Sequence, residues 1–189
     1  ILLEKTPFRL TDTFIPGHWG HVAIWLGTES ELRRLGLWDD PLVQPHQSRI
    51  RQGQSIVEAL RSGVTLNPLS HFLNVDDLAV LRDPAASHPQ TTDRLRKAFR
   101  QIGKRYDFNF DVQTTDKIVC SELAYVVYDD LPWPTGKALG RHTISPDQVA
   151  SCALPGGPLQ LVLLYHDGQK IVDTPQTFMA ELMKRVDSG

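Results

Sequence analysis

Cysteine is scarce in this chain. Cys120 and Cys152 are the only two in 189 residues, too few for a disulfide framework, and a single bridge is permitted but not required. No C-x-x-C or H-E-x-x-H pattern is present to hold a structural zinc. Long apolar runs are missing as well, and no stretch approaches the roughly 18 uncharged apolar residues that suggest a membrane span. Charge of one sign is also lacking. Twenty Lys and Arg stand against 22 Asp and Glu, a formal net charge of -2, and no basic cluster overrides that balance, so nucleic acid is not expected as a partner. What is present is ordinary for a globular chain: 41% hydrophobic and 22% charged residues, at a length that fits one domain over 1–189 with a full core.

Residues 1–5 read as a strand fragment. Because ILLEKTPF opens in mid-strand, the chain is expected to be truncated at its N-terminus, where an export signal could have been lost. Turn formers fill 6–20, and the apolar run HVAIWLG at 21–27 reads as a buried strand. Residues 29–53 show a short helical pattern and then a Pro-punctuated loop, read as an insertion decorating the domain edge. SIVEAL (55–60) is a second strand, 63–74 a turn and short segment, and DLAVLR (77–82) a third strand. A Pro/Ser/His loop at 84–91 leads to an amphipathic helix over 92–103. An aromatic-alternating stretch, KRYDFNFDVQTTD, then runs up to KIVCSELAYVVY at 117–128. Residues 131–158 read as loop, 159–166 as a last long strand, and Thr174-Pro175 opens a helix to about Val186. Helices and strands mix without βαβ regularity, so the class is α+β with a largely antiparallel sheet.

Three polar residues stand where chemistry could use them. Cys120 falls at the start of the apolar helix, where unpaired backbone N–H groups and the macrodipole favour a thiolate; a small buried thiol in a core is the alternative. His21 is the first residue of its strand, placed either to look into a cleft or to bond the backbone. Glu58 lies inside an apolar run, either held by a partner or turned to a solvent face. A cysteine nucleophile needs a base and a third polar group to orient that base. If the 21–27 and 55–60 strands are antiparallel neighbours, His21, Glu58 and Cys120 can converge. His18 makes an H-x-x-H spacing with His21, a weak metal signal, and reads as a residue lining the loop.

Together, GHWGHVAIWLG, SIVEAL, GKRYDFNFD and KIVCSELAYVVY resemble the circularly permuted papain-fold cysteine hydrolases of the NlpC superfamily, and within them the YiiX/YebB-like group, related to the lecithin:retinol acyltransferase class. The order of the motifs, His strand first and Cys helix late, is that of the permuted group. The resemblance implies a papain-like antiparallel sheet packed on helices, with the nucleophile at a helix N-terminus. It makes Cys120 the nucleophile, His21 the general base and acid, and Glu58 the residue that orients His21. It places the Cys120 backbone N–H in an oxyanion hole and makes Tyr106 a candidate for substrate contact; His18, from its place in the loop, is a second candidate. Asp107 and Ser121 read as structural, bonding the local backbone. Two departures from the family pattern are the long connection between His21 and Glu58 and the absence of an opening Gly-Asp.

The implied activity is a cysteine-dependent amidase or peptidase acting through an acyl-enzyme on Cys120, on peptidoglycan-type or lysine-containing amides. One alternative is a lipid acyltransferase or phospholipase, with Trp133 lining a groove. Another is a catalytically silent binding module. No cofactor or metal is expected. The partner is a small-molecule, peptide or lipid-linked acyl substrate. The compartment of this bacterial-type protein, cytoplasmic or exported, is open.

Overall fold

The structure is a computed structural model that describes residues 1–6, 17–106, 117–138 and 141–186. In chain order the elements are β1 (Leu2–Lys5), β2 (His21–Trp25), α1 (Glu29–Arg34), a 3-10 turn (Gln44–His46), α2 (Gln47–Arg51), β3 (Gln54–Leu60), β4 (Gly63–Pro68), α3 (Leu69–Phe72), β5 (Asp77–Arg82) and α4 (His88–Gln101). Then follow β6 (Arg105–Tyr106), β7 (Lys117–Ile118), α5 (Cys120–Val127), β8 (Gly136–Ala138), β9 (Arg141–Thr143), α6 (Pro146–Ser151), β10 (Gln160–His166), β11 (Gln169–Lys170) and α7 (Pro175–Val186).

Seven strands form one sheet in the order β11-β10-β5-β1-β2-β3-β4, antiparallel at every pairing. Two small sheets accompany it, β6-β7 parallel and β8-β9 antiparallel. Alternation along the strands gives the large sheet two unlike faces. Leu3, Val22, Ile24, Val57, Ala79 and Leu164 look into the main core, where Leu95, Ala98 and Phe99 of α4 and Leu123, Ala124 and Val127 of α5 meet them. Leu2, Ala23 and Ile56 look the other way, into a smaller cluster closed by Phe72 of α3. The α+β class and the antiparallel sheet are as the sequence predicts.

Four stretches differ from the sequence reading. Residues 29–53 do not decorate an edge: Leu32, Leu37, Trp38, Val43 and Ile50 are all buried in the main core. Their polar neighbours, needed on the outer face of short helices, hid that pattern. Residues 63–68 form a full strand, β4, closing the sheet beside β3. The helix read from 92 starts at His88, because Ser87 and Gln90 form a capping box and Pro89 falls in the first turn, where it is tolerated. Within 131–158, Ser145-Pro146-Asp147-Gln148 does the same for α6. In both places a Ser-Pro-rich string that reads as loop is a helix start.

Candidate active site

Cys120 is the first residue of α5, entered from Val119 in an extended conformation. The Glu122 carboxylate accepts from the Val119 backbone N–H at 2.9 Å, fixing the turn that delivers the thiol. The Ser121 hydroxyl donates to the carbonyl of Ile144 at 2.6 Å, a bond to a distant segment rather than to local backbone. Cys120 is buried at 2% exposure, and the apolar side of α5 rests on β2 and the main core. The position is one at which a helix leaves backbone N–H groups without intrahelical acceptors.

His21 opens β2 and is buried at 7% exposure. Its Nε2 lies 2.9 Å from Oε2 of Glu58 on the neighbouring strand. A carboxylate can only accept, so Nε2 carries the proton in that bond. The Cys120 side chain acts on the same imidazole, through its charge and a hydrogen bond. Burial opposes a charge on His21, but the negative charge and hydrogen bond of Cys120, joined by those of Glu58, outweigh it and raise its pKa to about 10. The structure therefore brings together the three residues that the sequence singles out.

Glu58 is buried at 1% exposure, which excludes the solvent-face alternative. Its second oxygen, Oε1, accepts from Nδ2 of Asn67 at 2.8 Å and from Nδ1 of His71 at 3.1 Å. Burial acts to raise its pKa, yet the bond and charge of His21, the Asn67 amide and the charge of His71 hold the carboxyl below its ordinary range. Phe72 lies against the His21 ring, centroid to centroid 5.9 Å. Asn67, His71 and Phe72 were missed in the sequence. Asn67 is on the strand read as a turn, and the other two follow directly from it.

His18 is buried, with Nε2 2.7 Å from Oδ2 of Asp77 on β5. His166 Nδ1 donates to the other oxygen of Asp77 at 2.6 Å. In the segment before β2, the Asp147 carboxylate accepts from the backbone N–H of His18 at 2.9 Å and of Trp19 at 2.7 Å. His18 thus anchors the approach to His21. Tyr106 ends β6, parallel to β7 just ahead of Cys120; its side chain and all of Asp107 lie outside the described residues. Trp133 is packed on the core, with its indole N–H donating to the Tyr128 carbonyl just after α5 at 2.8 Å. Among the described residues, Asp77, His166 and Asp167 come close enough together to share an ion. They lie on and beside strands β5 and β10, two or more strands from β2. A groove of about 710 Å³ opens at the other end of β2, lined by Trp25, Leu26, Arg82, Asp83 and Tyr128 among others; Cys120, His21 and Glu58 are not in its wall.

No helix among the described residues is long and apolar enough to cross a membrane. Comparison with curated proteins finds no match, and neither does comparison with solved structures. A family model does match, over residues 1–184: the permuted papain-like amidase enzymes, YaeF/YiiX, C92 family. With an antiparallel sheet packed on helices and that match over nearly its whole length, the chain belongs to this family of papain-like cysteine hydrolases.

Proposed function

We propose that the protein is an amidase in which Cys120 is the nucleophile, His21 the general base and acid, and Glu58 the residue that orients His21. The observation that carries this reading is the buried line of contacts from Cys120 through His21 to Glu58. A thiolate on Cys120 attacks the amide carbonyl carbon, and the tetrahedral oxyanion forms beside the N–H groups at the start of α5. The C–N bond breaks as His21 passes its proton to the leaving amine, giving a thioester on Cys120. Water then attacks the thioester, His21 takes the proton, and the acid is released as the thiolate returns. Glu58 stays ionised throughout and holds Nε2, so that Nδ1 faces the sulfur.

The family's character as amidases supports an amide substrate; an amide of peptidoglycan type or of a lysine adduct is the narrower class proposed, on the sequence resemblance alone. Trp133, which would have argued for a lipid groove, is used in packing after α5. The test is trapping of the acyl-enzyme. Incubation with activated amide and ester substrates, followed by rapid acid quench and intact-mass measurement, is expected to show one acyl group on Cys120 that is absent in Cys120→Ala. Acyl transfer to added amines or alcohols in preference to water would favour the acyltransferase. No adduct from any amide or ester would remove the reading.

A further inference from the structure

The line of contacts does not stop at Glu58. It continues to His71, whose side chain is 53% exposed while that of Glu58 is 2% exposed. Cys120, His21, Glu58 and His71 thus form a row from the core to solvent, with a histidine on each side of one carboxylate. α3 carries two adjacent contacts to this row, Phe72 against the His21 ring and His71 on the carboxylate.

We propose that His71 is a positioning residue for the reaction: its Nδ1–H fixes Oε1 of Glu58, so that Oε2 stays on His21. This inference rests on the roles assigned above to Cys120, His21 and Glu58. The physical reason is the directionality of hydrogen bonds to one carboxylate. With Oε1 held by Asn67 and His71, the carboxyl plane is fixed and Oε2 is left on the imidazole of His21. Without the His71 donor the carboxylate can rotate away from that ring.

Among the described residues, the groups facing Glu58 are few. They are His21 from β2, the neutral amide of Asn67 from β4, and His71 from α3. Thr65, paired directly with Glu58, is held by Arg49 of α2, whose guanidinium also bonds Gln54 and the Leu66 carbonyl. Arginine keeps its charge across the whole pH profile and shifts all variants alike. His71 is therefore the donor to Glu58 on the solvent side of the row.

The experiment measures the rate of Cys120 alkylation by iodoacetamide against pH in wild type, His71→Ala and His71→Asn, with His21→Ala as reference. The Asn amide nitrogen is bonded to Cγ, as Nδ1 is, and keeps a donor for Oε1. At neutral pH, His71→Ala is expected to react about 3- to 10-fold more slowly than wild type, by the loss of one bond to a charged group at a half-exposed site. His71→Asn is expected to come within about 2-fold of wild type, because that bond is kept. Near-UV circular dichroism establishes that the variants stay folded. Three superimposed profiles would overturn the proposal, as would equal slowing in Ala and Asn, which is what a contact that does not position Glu58 gives. Slow wild-type labelling that ignores His21→Ala would instead overturn the roles on which the proposal rests.

Discussion

Glu58 and His21 meet on a diagonal. The residue paired with Glu58 across β2 is Ala23, two positions beyond His21, yet Oε2 of Glu58 lies 2.9 Å from His21 Nε2. Long side chains can reach a diagonal neighbour on a sheet face, and short ones cannot. Reach and charge are therefore separable. Glu58→Gln keeps the length and removes the charge; Glu58→Asp keeps the charge and withdraws it by one methylene. Both are expected to slow Cys120 alkylation at pH 6 by about 10- to 100-fold, the worth of a hydrogen bond to a charged group. Asp performing like the wild type would show that proximity of charge alone suffices.

The pH response follows from His21. Its pKa is raised from 6.5 to about 10, so the folded protein keeps the imidazolium where a free histidine is neutral. Its contribution to stability is complete below 6.5 and is lost as pH rises through about 10. Amide cleavage, which needs this proton for the leaving amine, is expected to decline over the same alkaline range. A titration of the His21 ring by NMR checks this directly: it is expected to remain protonated at pH 8. Loss of the proton near 6.5 would refute it.

The segment before His21 depends on Asp147. Gly17 has φ +134°, and a Cβ there would lie 2.7 Å from the Asp147 carboxylate carbon. Gly17→Ala combines backbone strain with that clash. Asp147→Ala leaves the N–H groups of His18 and Trp19 without their acceptor. Each is expected to destabilise the fold by about 1–3 kcal/mol. In a thermal melt an unchanged midpoint for both would show that this junction is held by other contacts.

Arg94 ties α4 to the ends of β5 and α5. Its side chain is 6% exposed, with Nη1 2.8 Å from Asp83, Nη2 2.7 Å from Asp130, and the guanidinium 4.7 Å above the Tyr128 ring. Removing the cation strands buried acid, so Arg94→Met is expected to cost about 3 kcal/mol. The midpoint of thermal unfolding is expected to fall by about 6–12 °C, with Cys120 labelling unchanged below the transition. A shift within error would show that Asp83 and Asp130 are solvated when Arg94 is absent.

What the sequence made legible was set by contrast. β2, β3, β5 and β10 are apolar runs between turn formers; His21 stands out at the start of one and Glu58 inside another, and Cys120 opens the apolar run that forms α5. What was hidden depended on register and on capping. Asn67 and His71 matter because β4 and the α3 turn that follows it place them against Oε1 of Glu58, and GVTLNP has too few apolar residues to announce a strand. Ser87 and Ser145 begin helices through bonds to glutamine side chains, inside strings that otherwise carry loop composition. The contact of His18 with Asp77, a partner 59 positions away (77 − 18), has no local pattern to announce it.

The central claim is that Cys120 and His21 act as one charged pair. The most direct test is alkylation of Cys120 at pH 6, followed by mass spectrometry, in wild type and His21→Ala. At that pH a free thiol with a pKa of about 8.5 is almost wholly protonated and reacts slowly. Rapid labelling of the wild type, falling about 100-fold or more in His21→Ala, is the expected result. Slow labelling of both proteins at the same rate would contradict the account and leave Cys120 as a core residue.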